Sequence, residues 1–342
     1  MLAQQDSNRA IAIWLFVVAA LIFSMVVLGG VTRLTRSGLS MVEWAPIMGV
    51  VPPITEAQWQ ETFDKYKQFP EYQKINKGMS VHEFKSIFWF EYSHRLLGRT
   101  IGLAFLIPFI FFVVRKQIEK QDVPKYLLMF VLGGLQGLLG WYMVKSGLVN
   151  RPHVSQYRLT AHLVAAIAIY SYILWVAWGL IVPKRDAEAT RLRSLRNLGI
   201  GLTGLIILMI VSGGFVAGTK AGLAYNTFPT MNGYWVPEGL YAMQPWWLNW
   251  FENATTIQFN HRLIAWILIL AVPAYWFHAR RHAPDEATRL ALHLLLAMLA
   301  IQVVLGITTL LHAVPVALGA AHQAGALLLL TTVLYVVRRL TN

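Results

Sequence analysis

The chain has 342 residues, 56% of them hydrophobic and 13% charged, with a mean hydropathy of +0.52, which excludes an ordinary soluble domain. It contains no cysteine, which excludes disulfides, thiolate ligation of haem, cysteine-held iron–sulfur clusters and covalent haem attachment through a cysteine pair. Its net charge of +13 is distributed among short loops between apolar stretches, so it marks topology and implies no nucleic-acid partner.

A helix needs about 20 apolar residues to cross the hydrocarbon of a bilayer. Eight stretches qualify in chain order: 10–31, 87–114, 124–145, 158–182, 198–219, 257–277, 289–312 and 316–337. The first is longer than the roughly 7–15-residue apolar core of a signal peptide and lacks a convincing cleavage site, so it reads as a retained span. Basic residues gather at Arg115, Lys116, Lys120 and Lys125, at Lys184, Arg185, Arg191, Arg193 and Arg196, at Arg280, Arg281 and Arg289, and at Arg338 and Arg339. All four regions fall on one side if the spans alternate. The positive-inside rule makes that side, and both termini, cytoplasmic. The opposite segments 33–86 and 220–256 are rich in Trp, Tyr and Pro and suit an interfacial cap over a pocket, although such residues also gather at any membrane interface.

The spans repeat in the order they occur. LGGVTRLTRSGLS (28–40) matches SGGFVAGTKAGLA (212–224), EYSHRL (91–96) matches QFNHRL (258–263), Gln136 and Gly140 match Gln302 and Gly306, and Ala161-His162 matches Ala321-His322. The fold expected is therefore an all-α integral membrane protein of eight transmembrane helices, built as two tandem four-helix bundles related by a pseudo-twofold axis along the membrane normal. The expected units are 1–182 and 198–342, joined by a cytoplasmic linker at 183–197.

Each half carries two histidines just inside its even-numbered spans: His94 and His162, then His261 and His322. An ionisable residue within a span is costly and marks function by default. Two imidazoles facing each other across a helical bundle suit the axial positions of haem iron. All four lie at one depth, toward the outer leaflet. The residue one turn after each is small (Gly98, Ala166, Ala265, Ala326), which would let a porphyrin lie against the helix, as small residues also let two helices pack. Arg95, Arg99, Arg158 and Arg262 are candidates for haem propionates, which a guanidinium binds in bidentate fashion; the alternative is that they snorkel to the interface. His82, His153, His278 and His282 fall in loops, and His293 and His312 have no counterparts in the first half, so none of these reads as a ligand.

The motifs RLTRSGLSMVEWAPIMGVVPP, EFKSIFWFEYSHRLLGR, RLTAHL, GLAYNTFPTMNG and QFNHR resemble the haem A synthase family of proteobacteria and mitochondria, through nearly the whole chain. The resemblance implies oxidation of the C8 methyl of haem O to a formyl group, giving the haem A of cytochrome oxidase. It implies a haem b cofactor in the second half, on His261 and His322, and a substrate pocket in the first half on His94 and His162, with Glu91 as the catalytic glutamate. It also implies a bacterial inner-membrane location, haem O delivered by a haem O synthase, and an electron-transfer partner that the sequence does not identify. A homo-oligomer is compatible with any of this. Some branches of the family carry a cysteine pair in the first outer loop, which this chain lacks.

The residues themselves favour the same division. Glu91 precedes His94 by one turn on the same face, whereas its counterpart Gln258 cannot ionise. Oxidising a methyl group requires protons to be removed, and a buried carboxylate suits that task; the structural alternative is a bond from Glu91 to Arg95. Two other function classes stand beside this one. A di-haem electron-transfer cytochrome, such as a quinol oxidoreductase subunit, would want one haem near each membrane face. A divalent-metal transporter would want several carboxylates along a path, and the spans hold only Glu91.

Overall fold

In the computed structural model, residues 2–43, 48–147, 154–183 and 190–341 are described. Ten α-helices follow one another: α1 Leu2–Leu34, α2 Glu56–Lys67, α3 Pro70–Lys74, α4 Val81–Val114, α5 Val123–Gly147, α6 Gln156–Ile181, α7 Thr190–Thr219, α8 Ala254–Arg280, α9 Glu286–Leu311 and α10 Val316–Arg339. Eight of them, all but α2 and α3, are long and apolar enough to cross a membrane. The described residues form no β-strand beyond one isolated bridge between Met231 and Tyr234.

Helix starts follow local capping chemistry more than hydropathy. α4 begins at Val81, before the expected 87, because Ser80 and Glu83 form a capping box: the Glu83 amide donates to Ser80 Oγ at 3.3 Å and the Ser80 amide to Glu83 Oε2 at 2.8 Å. Thr55 and Gln58 cap α2 in the same way. α7 begins at Thr190, so residues 190–197 of the expected linker are helical; 184–189 lie outside the described residues, as does His153.

α1, α6 and α10 are the most deeply buried spans, and α5 lies almost wholly at the periphery. Neighbour relations come in matching sets: α1 packs on α4 and α6, α5 on α6 and α4, while α7 packs on α8 and α10, and α9 on α10 and α8. Between the halves α1 packs on α10, α6 on α7, and α6 on α10. Polar ties close that seam. Gln323 Nε2 donates to Val26 O at 2.7 Å, Tyr170 and Thr331 share a hydroxyl bond of 2.8 Å, and Arg33 donates to Ala217 O.

Two caps cover the end of the bundle nearer the histidines. The first joins α2 and α3 to the first turns of α4 through an aromatic cluster of Trp59, Phe63, Tyr66, Phe84, Phe88 and Tyr92. The second is an irregular segment, 221–253, held by the buried Asn249, whose amide bonds Met243 and Trp246. Matching left-handed residues redirect the chain into each cap: Arg36 (φ 56°) after α1 and Lys220 (φ 58°) after α7.

Candidate functional site

Each of the four histidines sits in the N-terminal half of its helix, beside a glycine of a neighbouring helix. A Cβ at Gly29 of α1 would lie 3.2 Å from His94 Nε2, and one at Gly140 of α5 would lie 2.9 Å from His162 Cε1. The second half repeats this: a Cβ at Gly213 of α7 would lie 3.4 Å from His261 Cε1, and one at Gly306 of α9 2.9 Å from His322 Cε1. These are glycines that the repeat already aligned; the fold supplies their purpose, which is room for an imidazole. By contrast, a Cβ at Gly98, one turn after His94, would lie 3.0 Å from Met25 Cε of α1.

His94 and His162 are close enough for their charges to interact, and so are His261 and His322. The topology therefore brings the four residues together in two pairs, one in each half. Gln136 Nε2 donates to the His162 carbonyl at 2.8 Å and Gln302 Nε2 to the His322 carbonyl at 2.9 Å, fixing α6 and α10 on their neighbours at the level of these histidines. Among the described residues, no group of three or more His, Asp or Glu side chains is gathered as for a bare metal ion. Pairs of histidines match the two axial positions of haem iron.

The arginines that follow the first and third histidines clamp the caps in one register. Arg95 donates from Nη2 to Met41 O at 2.7 Å and from Nη1 to Glu43 O at 3.0 Å. Arg262 donates from Nη2 to Tyr225 O and from Nη1 to Thr227 O, both at 2.9 Å. Met41 and Glu43 are the repeat equivalents of Tyr225 and Thr227. Both guanidinia thus hold outer backbone, a use that sequence spacing did not reveal. Arg158 lies over the Tyr142 ring at 4.8 Å, and Arg99 is half-buried one turn beyond Arg95.

On this duplicated frame two differences bear on the histidines. Glu91, 4% exposed, accepts from Arg95 Nε at 2.6 Å. Its counterpart Gln258 instead donates to Tyr225 O at 2.9 Å, which leaves Arg262 Nε buried without an acceptor. In addition, His261 Nδ1 is 2.7 Å from Ser212 Oγ, whereas the repeat places Leu28 at the equivalent position beside His94.

Haem fits this chemistry on three observations. The imidazoles are paired, their glycine neighbours leave them room, and Arg262 Nε and Asn260 Nδ2 beside His261 are buried donors lacking acceptors, such as a propionate would satisfy. His82 and His278, expected in loops, lie in α4 and α8 but are exposed there, as are His293 and His312; His282 is half-buried.

The sequence model of the cytochrome oxidase assembly protein family COX15-CtaA matches residues 12–334. The heme A synthase of Nitrosospira multiformis is 57% identical over 96% of this chain and 93% of its own length. That of Nitrosomonas eutropha is 54% identical over 98% and 95%, and the heme A synthase COX15 of Arabidopsis thaliana is 44% identical over 96% and 74%.

Proposed function

This chain belongs to the COX15-CtaA family of cytochrome oxidase assembly proteins, and from that premise we infer that it is an oxidoreductase converting haem O into haem A. The observation that carries the division of labour is chemical asymmetry on a duplicated scaffold. His94 and His162 would hold the substrate haem beside Glu91, a buried carboxylate. His261 and His322 would hold a resident haem b, beside the non-ionisable Gln258. The pairing of neighbours within each half supports a pseudo-twofold relation between units 1–182 and 198–342.

In the second pocket, Ser212 Oγ donates to Met209 O at 2.9 Å and so would accept from His261 Nδ1–H, leaving Nε2 for iron and fixing the plane of the ring. Arg262 Nε and Asn260 Nδ2 would bind a propionate. When bound, haem b supplies a one-electron redox centre. In the first pocket, the methyl carbon at C8 must lose protons as it is oxidised to the formyl group. Glu91 is the base placed to take them. Arg95 orients its carboxylate and, through Met41 and Glu43, closes the cap over the same pocket. Arg99 and Arg158 are the further propionate candidates on this side. We place the protein in the bacterial inner membrane with both termini cytoplasmic, supported by the basic residues at 115–125, 184–196 and 280–289. Haem O would be delivered by a haem O synthase.

The test is Glu91→Gln, which gives the first pocket the side chain of the second. Haem occupancy should match wild type, because both ligands remain. Haem A formation, read by extracting and weighing the bound haems, should fall by about a hundredfold or more. Normal haem A formation by this variant would reduce Glu91 to a structural partner of Arg95.

A further inference from the structure

The repeat aligns Gln136 with Gln302 and Gly140 with Gly306, so α5 and α9 each carry a glutamine one turn before the glycine that seats an imidazole. The two glutamines act differently. Gln136 Nε2 reaches the backbone carbonyl of His162, and His162 Nδ1 is buried with no hydrogen-bond partner among the described residues. Gln302 Nε2 reaches the His322 carbonyl and also stands 3.2 Å from His322 Nδ1. This difference has a local cause in α10. Gly325, buried and one turn after His322, lies so close to the Gln302 amide that a Cβ there would collide with it. The first half carries Ala165 at the equivalent position. A missing side chain thus lets the Gln302 amide lie against the imidazole. With Ser212 on His261, both histidines of the second pair have a polar neighbour at Nδ1.

We propose that Gln302, admitted by Gly325, is a positioning residue that holds His322 to a resident haem, its amide oxygen accepting from Nδ1–H and leaving Nε2 to the iron. The proposal rests on the assignment of haem b to the second half. In the structure the amide nitrogen faces Nδ1, the arrangement for a ring protonated at Nε2. An imidazole that gives Nε2 to iron carries its proton on Nδ1, where it needs an acceptor. Gln302 Oε1 is that acceptor: it is buried on the same amide without a partner among the described residues, and a half-turn about Cγ–Cδ exchanges it with Nε2. The His322 carbonyl keeps its intrahelical bond throughout. In the first pocket His162 lacks this grip, as suits a haem that must leave as product.

The experiment measures two properties of purified full-length protein, the rate at which haem b passes to apomyoglobin and its midpoint potential. Gln302→Leu should speed haem loss by about tenfold to a hundredfold and raise the potential, because a less basic imidazole favours reduced iron. Gln302→Glu keeps an acceptor and strengthens it, so it should retain haem and lower the potential. Gly325→Ala leaves both polar groups in place but fills the space between them, and should follow Gln302→Leu in both readings. A glutamine that only ties α9 to α10 would lower the melting temperature when replaced and leave the potential where it is. An unchanged potential in Gln302→Leu, or shifts of the same sign in the leucine and glutamate variants, would overturn the proposal. Retention of haem b by His322→Ala would instead overturn the assignment of this pair as cofactor ligands, whatever Gln302 does.

Discussion

Ser212 and Leu28 occupy equivalent positions, and only the serine reaches an imidazole, at 2.7 Å from His261 Nδ1. A ligand whose second nitrogen is hydrogen-bonded is more basic and holds its tautomer, and losing such a partner typically costs tenfold to a hundredfold in metal affinity. A resident cofactor needs that grip, whereas a substrate that must leave as product is served by its absence. Ser212→Ala should accordingly lower haem b retention by that order and raise its midpoint potential, because a less donating imidazole favours reduced iron. Unchanged retention and potential in the purified variant would remove the serine from the cofactor site. At this scale the sequence was legible where chemistry is local: His94, His261, Glu91 and Gln258 could be read from two aligned hexapeptides. Ser212 could not, since it meets His261 across 49 residues of chain. The burial of Glu71 was missed for a similar reason. It sits in a charged, polar stretch that reads as solvated, yet it is buried in the first cap.

Between helices, the glycines determine where an imidazole can stand. Gly306 leaves only 2.9 Å from a Cβ position to His322 Cε1, whereas Gly213 leaves 3.4 Å to His261 Cε1, an ordinary contact. Alanine is favoured over glycine in a helix interior by about 1 kcal/mol. Gly213→Ala should therefore be tolerated with haem b bound, while Gly306→Ala must move the His322 ring and lose the haem despite the gain in helix propensity. Equal haem content in the two variants would show that the rings are not held by these contacts. The spans themselves were legible because hydropathy decides them, and all eight expected stretches lie within or overlap observed helices. Their beginnings were not. VHEFKS and TRLRSLRN are polar, and capping at Ser80 or simple continuation of the helix carries α4 and α7 into sequence that hydropathy assigns to loops.

For the molecule as a whole, duplication ties topology to chemistry. α1 and α4 are antiparallel, Trp14 bonding Ala104 while Gly29 faces His94, and so are α7 and α8, Gly199 meeting Tyr275 while Gly213 faces His261. With short connections elsewhere, α4, α6, α8 and α10 run the same way and their histidines share one end with both caps. On the proposed orientation that end would lie outside, because the basic residues of the α4–α5 and α8–α9 connections lie at the other. The chain lacks cysteine, so single cysteines report their own side without background. Lys74 on α3 and Gln121 before α5 are both exposed, one at each end of the bundle. In intact cells, Lys74→Cys should react with a membrane-impermeant maleimide at once and Gln121→Cys only after permeabilisation. The reverse pattern would turn the protein over. It would put both histidine pairs and both caps on the cytoplasmic side.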